Sequence, residues 1–267
     1  MKKIIYTDLD GTLFDYNDEG AFVSNENIKA INEWTKKNHL GIATGRNVLS
    51  VKRIFNKIPL NINLPFVLTN GACVYDLKED KIVYENPIKK AVIDEAVEYI
   101  NKKPIAMMLL IGAKSRYYVG DFSKSGFKKP TYELTEISKE EINYDEILKV
   151  DFIVKEENNP ELVKDINNFK SKDLFQIVPS SIRYVEIVDK NSSKYNGIIK
   201  ALEYMNISNY ELHTVGDYLN DYDMLKYADV SYAPKNANEK IKQIADHIVK
   251  SNKEHAIKDV IKRVNKL

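Results

Sequence analysis

A single cysteine, Cys73, in a chain of 267 residues excludes an internal disulfide, and neither it nor the four histidines fall into a zinc-ligating spacing. A chain so poor in thiols suits a reducing compartment. No apolar run approaches the roughly 18 residues of a membrane span. Met1-Lys2-Lys3 is followed by only Ile4, Ile5 and Tyr6 before Thr7 and Asp8, too short an apolar stretch for an export signal. The expectation is a soluble, cytoplasmic protein. An excess of one charge is also missing. Forty Lys plus Arg stand against 39 Asp plus Glu, so no global field draws the chain to nucleic acid or an anionic membrane. Any anion site has to be local. Arginine itself is scarce, at positions 46, 53, 116, 183 and 263 only. Bidentate gripping of phosphates and carboxylates is mainly arginine work.

What is present is an alternation of short apolar runs with helix-period segments. The first third predicts a strand at 3–7, a helix at 25–37, a strand at 40–44, a helix at 48–57 and a strand at 65–69. Ser24 is the candidate cap of the first helix, with Ile28, Ile31, Trp34 and Thr35 as its inward stripe. The last third repeats the rhythm with a helix at 194–204, strands at 211–215 and 230–232, and helices at 239–245 and 254–264. That alternation predicts an α/β fold, a Rossmann-like parallel-sheet core built from both ends of the chain. The middle changes texture, with a hairpin at 73–75 and 81–84, strands at 105–111, 116–119, 150–155, 174–178 and 182–188, and helices at 92–101 and 161–169. It predicts an inserted α+β cap domain over 78–189, leaving 1–77 and 190–267 as the catalytic core, with hinges near Asp76 and Asp189 to Asn191.

Chemistry concentrates at the ends of predicted core strands. Asp8-Leu9-Asp10-Gly11-Thr12 follows the first strand, at the carboxyl edge where open parallel sheets place ligands. Gly11 permits the bend that lets both carboxylates share a site. One could attack phosphorus, and the other could protonate the leaving oxygen and later activate water. Read alone, the segment is equally an acidic turn. Gly216-Asp217-Tyr218-Leu219-Asn220-Asp221 follows a late strand, and its carboxylates suit Mg²⁺, a hard ion that takes oxygen ligands. Convergence of Asp8, Asp10, Asp217 and Asp221 would itself call for a cation. Thr44-Gly45-Arg46 offers a hydroxyl and backbone amides at a helix start, and Lys194 could neutralise charge there.

These four segments resemble the four motifs of the haloacid dehalogenase superfamily, and more closely its Cof-type phosphatase branch. Asn70-Gly71-Ala72, the large insert and Ser251-Asn252 are similar to that branch as well, so the resemblance covers nearly the whole chain. It implies that Asp8 is the nucleophile and a Mg²⁺ ligand. Asp10 would be the general acid/base and bind the metal through its carbonyl. Thr44, Gly45, the backbone of Leu9, Lys194 and Asn220 would hold the phosphoryl oxygens, while Asp217 and Asp221 hold or orient Mg²⁺. Three residues depart from the usual pattern: Tyr195 after the lysine, Tyr218 in the last motif, and His255 where glycine is frequent.

The implied function is hydrolysis of a small phosphorylated metabolite, such as a sugar phosphate or phosphorylated cofactor, with the cap choosing the substrate. No nucleic-acid or membrane partner is expected, and the oligomeric state is not legible. A phosphotransferase or sugar-phosphate mutase could use the same core, although the cap offers only Arg116 and Arg183 to grip a second phosphate. A phospho-receiver-like sensor is a third reading, opposed by Asp10 and the cap. His213 and Cys73 are expected to be packed. Tyr117, Tyr118, Tyr132 and Tyr184 are mostly sheet packing, and Lys124 to Lys129 is a solvated cap loop.

Overall fold

The computed structural model describes residues 2–18, 20–119 and 134–266. Lys124 to Lys129 and Tyr132 lie outside the described residues. The chain divides into two compact units, Met1–Tyr84 with Ser193–Leu267, and Glu85–Ser192.

In the first unit, β1 (Lys2–Thr7) is buried from Ile4 to Thr7 without alternation, the pattern of a strand covered on both faces. Two short antiparallel strands follow, β2 (Asp15–Asn17) and β3 (Gly20–Phe22). The sequence pattern missed this hairpin, since strands of three residues are too short to carry a period. Helix α1 (Asn25–Trp34) starts at Ser24, whose Oγ accepts the Asn27 amide at 3.3 Å. Its inward face differs from the predicted stripe. Asn27 is buried while Ile28 is half-exposed, because the Asn27 amide oxygen accepts the Lys258 backbone N–H. Then come β4 (His39–Ile42), α2 (Val48–Phe55), β5 (Phe66–Leu68), β6 (Cys73–Asp76) and β7 (Lys81–Glu85). Because β5, β6 and β7 form one three-stranded sheet, the unit runs on to Tyr84 instead of ending near Asp76.

The second unit carries α3 (Lys90–Lys102), β8 (Ala106–Ile111), β9 (Arg116–Val119), β10 (Thr135–Ile137), β11 (Lys149–Val154), α4 (Asn159–Ile166), β12 (Phe175–Ser181) and β13 (Tyr184–Asp189). Its six strands run in the order β10-β9-β8-β11-β13-β12. Along β11, Val150, Phe152 and Val154 join the core that also holds Val92, Ile93, Leu162 and Ile166 of the two helices. On the opposite face Asp151 and Glu186 stand directly across the β11–β13 ladder, with Lys149 Nζ 3.0 Å and 3.2 Å from their carboxylates. Tyr118 packs with Met107, Leu109 and Ile111, and the Tyr117 hydroxyl donates to Glu146 at 2.8 Å, so both serve the sheet. Tyr184 is exposed.

Back in the first unit, the chain continues through α5 (Lys194–Tyr204), β14 (Tyr210–Val215), α6 (Tyr222–Lys226), β15 (Val230–Pro234), α7 (Glu239–Ile244), β16 (His247–Val249) and α8 (Ala256–Val264). Its parallel sheet has the order β16-β15-β14-β1-β4, and Ala43 bridges in parallel to Val67 of β5. From β1 the chain steps to β4 on one side and later builds outward from β14 on the other. The direction of winding therefore reverses between β1 and β14, and crevices for ligands open at the carboxyl ends of such a pair. The core is thus an α/β parallel sheet. His213 and Cys73 are fully buried, the His213 Nδ1 lying 3.3 Å from the Tyr232 hydroxyl. His255 takes the left-handed conformation with φ of 69°, which explains why glycine is at home in that position.

Thr69, Asn70 and Gly71 all have positive φ, at 52°, 54° and 92°. Strained turns of this kind persist only where their surroundings hold them. At Gly71 a Cβ would stand 1.9 Å from the Ser193 backbone oxygen. Gly71→Ala is expected to cost on the order of 3 kcal/mol or more, adding left-handed strain to a backbone clash that no rotamer relieves. A urea denaturation midpoint checks this. A midpoint equal to that of the unsubstituted protein would contradict the close approach.

Candidate active site

The switch point between β1 and β14 is where the acids meet. The Asp8 N–H donates to Val215 O at 2.9 Å, extending the β1–β14 ladder by one bond and setting Asp8 level with Gly216 and Asp217. Beyond Asp8 the chain coils tightly, with the Leu9 carbonyl accepting from the amides of Thr12, Leu13 and Phe14. The coil needs Gly11 at φ of 85°, where a Cβ would come 2.4 Å from Asp217 Oδ2. Thr12 Oγ1 donates to Asp217 Oδ1 at 2.8 Å, which ties the first motif to the last.

Asp8, Asp217 and Asp221 each offer a carboxylate oxygen within 4.8 Å of the others. Lys194 opens α5 and drives its Nζ, fully buried, to 2.6 Å from Asp8 Oδ1 and 2.5 Å from Asp221 Oδ1. The second Asp221 oxygen accepts the backbone amides of Asp217 at 2.9 Å and Tyr218 at 3.0 Å. Asp221 therefore holds both the lysine and the loop that carries Asp217. Two of the residues expected to hold phosphoryl oxygens, Thr44 and Asn220, both bond to Asn70. Thr44 is buried, its Oγ1 accepts the Arg46 amide at 3.3 Å, and its carbonyl accepts the Asn70 amide. Asn220 Nδ2 donates to Asn70 Oδ1 at 3.3 Å.

Electrostatics shows what the cluster lacks. Burial pushes the Asp8 carboxyl well above the ordinary carboxylate range; Lys194 pulls it down, and the Asp221, Asp217 and Asp10 charges push it up again. Asp217 is pushed up to about 7 by burial and then by Asp221. Lys194 is raised above its ordinary value because its two carboxylates outweigh the burial that opposes its charge. Three carboxylates against one ammonium leave an excess of negative charge in a dry site, and oxygen donors at this spacing fit a divalent cation. Ion binding to the folded state alone raises stability by about 2.7 kcal/mol at a hundredfold excess over Kd. Millimolar Mg²⁺ is therefore expected to raise the melting midpoint by several degrees, with Asp217→Asn losing most of that shift. An equal shift in Asp217→Asn would contradict the assignment.

The fourth acid departs from the predicted convergence. Asp10 does not turn its carboxylate into the cluster but pairs it with Arg46, Nε to Oδ2 at 2.7 Å and Nη2 to Oδ1 at 2.5 Å. The Tyr16 hydroxyl also bonds to Oδ1. A forked guanidinium gives a carboxylate two parallel charge-assisted hydrogen bonds, which fixes its orientation. Burial raises Asp10, yet Arg46, followed by Tyr16 and Lys194, brings it below the ordinary value. Sequence reasoning named Arg46 within its motif without giving its side chain a partner. The signal was its rarity. Tyr16 gave none, since its hairpin had no legible period. Thr12, Asn70 and Asn236, whose Nδ2 donates to Gly11 O at 2.7 Å, were also missed as organisers of the loops. Tyr195 packs its ring 5.2 Å from that of Tyr227.

A parallel α/β core with acids and a buried lysine gathered at its switch point defines an enzyme of the phosphoryl-transfer class. The chain belongs to the haloacid dehalogenase-like hydrolases, whose family model matches residues 5–261, and within them to the Cof-type phosphatases. It is 26% identical over 97% of its length to the chloroplast endoribonuclease YBEY of Arabidopsis thaliana, spanning 46% of that protein. It is also 26% identical to the 5-amino-6-(5-phospho-D-ribitylamino)uracil phosphatase YcsE of Bacillus subtilis, over 97% of this chain and 94% of the other. A HAD/COF-like hydrolase from Plasmodium vivax superposes with a TM-score of 0.83 at 26% identity, covering 99% of this chain and 96% of that one. No helix among the described residues is long and apolar enough to cross a membrane.

Proposed function

We propose that this chain is a Mg²⁺-dependent phosphatase that hydrolyses a small phosphorylated metabolite through an aspartyl-phosphate on Asp8. The observation that carries the reading is Lys194 Nζ held between Asp8 and Asp221 in a dry pocket of acids. Such a lysine favours the ionised, nucleophilic form of a buried carboxylate against the burial that opposes it. Lys194 engages one oxygen of Asp8, and the other attacks phosphorus. The P–O bond to the leaving group breaks, and Asp10, once it has taken up a proton from solvent, protonates the departing oxygen. Water then attacks the same phosphorus, its proton passes to Asp10, and Asp8 is released as a carboxylate together with phosphate.

Asp8, Asp217, Asp221 and the carbonyl of Asp10 are the groups that would hold Mg²⁺, which supplies positive charge against the transferring phosphoryl group. The backbone of Leu9, Thr44, Gly45, Lys194 and Asn220 would hold the phosphoryl oxygens, so that positioning and charge neutralisation do most of the work. The second unit is the cap that selects the substrate, and we place the core–cap boundaries at Tyr84 and Ser193. The name of the YcsE relative, a phosphatase of a phosphorylated ribityl compound, supports a small phosphorylated metabolite as substrate. A reducing cytoplasm suits the single buried cysteine.

Purified protein with Mg²⁺ is expected to release phosphate from p-nitrophenyl phosphate, and chelation is expected to stop it. Release unaffected by chelation would overturn the metal requirement. No release from this ester or from a panel of phosphorylated metabolites would overturn the activity itself.

A further inference from the structure

We infer that Arg46 and Tyr16 form a clamp that positions the Asp10 carboxylate as proton acceptor in the second half of the reaction, so that both are positioning residues for hydrolysis of the phosphoenzyme. The inference rests on the reading that Asp10 handles the proton. Three elements close the clamp: the coil after β1 brings Asp10, the loop from β4 to α2 brings Arg46, and β2 brings Tyr16. Arg46 reaches both Asp10 oxygens, at 2.7 Å and 2.5 Å. Its Nη2 also lies 3.0 Å from the Tyr16 hydroxyl, which itself bonds to Asp10 Oδ1, so the three polar groups form a closed triangle.

Exposure makes the triangle informative. The side chains of Arg46 and Asp10 are 26% and 40% exposed, so solvent reaches both, and the forked geometry rather than burial fixes the pair. Tyr16 is 52% exposed, an aromatic ring kept at the surface with its hydroxyl on the acid. Together the three remove the rotational freedom of a carboxylate two residues from the nucleophile. A proton acceptor works only within hydrogen-bond reach, roughly 2.6 to 3.2 Å, of the water it deprotonates. In the step concerned, the water oxygen bonds to phosphorus and its proton goes to an Asp10 oxygen. The bond from phosphorus to the Asp8 oxygen breaks, and its electron pair returns to the Asp8 carboxylate.

Rapid mixing with p-nitrophenyl phosphate and Mg²⁺ separates this step from the first. Nitrophenolate leaves without needing a proton, so phosphorylation of Asp8 proceeds without Asp10, whereas hydrolysis of the phosphoenzyme does not. Arg46→Ala is expected to keep the rate of the first, enzyme-stoichiometric release of nitrophenol and to lower the steady rate roughly 10- to 100-fold. Tyr16→Phe should show the same split a few-fold in size, and Arg46→Lys, which cannot fork across both oxygens, should fall between. Asp10→Asn should show the split in full, and adding Arg46→Ala to it should cost nothing further.

Equal slowing of both phases in Arg46→Ala would mean a merely structural role and overturn the clamp. So would additive losses in the double variant, or an unchanged Arg46→Ala beside a crippled Asp10→Asn. A steady rate that Asp10→Asn leaves intact would instead overturn the reading on which the clamp rests.

Discussion

Lys194→Met is expected to abolish turnover and to destabilise the first unit at the same time. Its Nζ has no solvent exposure and lies 2.6 Å from Asp8 and 2.5 Å from Asp221. Removing one partner of a buried ion pair leaves uncompensated charge, at a cost of about 3–5 kcal/mol. Part of that cost is relieved by protonation, since burial already drives Asp8 above the ordinary carboxylate range and Lys194 is the group that opposes it. The sign of the pH dependence follows. With Asp8 raised further in the folded state, the unfolded chain gives up its proton first as pH increases, so stability falls with rising pH above the ordinary carboxylate range. The deficit of Lys194→Met, measured by urea denaturation without added metal, should be small in acid and grow toward neutrality. A deficit that shrinks as pH rises would contradict the pairing. Lys194→Arg is not expected to rescue activity, because a pocket with no exposed surface cannot take the larger planar group.

Asp8→Asn has the opposite stability profile with the same loss of function. The amide keeps the shape of the carboxylate and removes one of three crowded negative charges, so the urea midpoint without added metal should be equal to or above that of the unsubstituted protein. An amide is no nucleophile toward phosphorus and a poorer ligand for a hard cation. Phosphate release should drop roughly 10⁴-fold or more, as for removal of a nucleophile that acts as one unit with its neighbours. Loss of activity alongside loss of folding would assign Asp8 a structural role instead. Together the two variants separate charge balance from chemistry: one upsets the balance, the other relieves it, and both stop turnover.

Much of this was legible because the core obeys local rules. Strands buried on both faces read as short apolar, β-branched runs, so β1 was plain and β14 was framed by Leu212 and Val215, and the residues following them had to lie at one edge of the sheet. That alone brought Asp8, Thr44 and Asp217 to neighbouring strand ends. Three things were not legible, each for a different reason. The β2–β3 hairpin is built from three-residue strands too short to show a period, so Tyr16 had no visible address. Asp10 was grouped with the other acids by charge, whereas its carboxylate answers to the geometry of a fork, and spacing along the chain says nothing about where Arg46 Nε points. Asn27 displaced Ile28 from the buried face of α1 because a helix face turns toward whatever its partner helix offers, here the Lys258 amide in α8.

The most direct test of the central claim is to quench the protein during turnover of p-nitrophenyl phosphate with Mg²⁺, reduce it with borohydride and map the product by mass spectrometry. Reduction converts an aspartyl-phosphate to homoserine, and the expected result is homoserine at position 8, absent in Asp8→Asn. Phosphate release with position 8 unmodified, or homoserine at Asp10, Asp217 or Asp221 instead, would contradict the account.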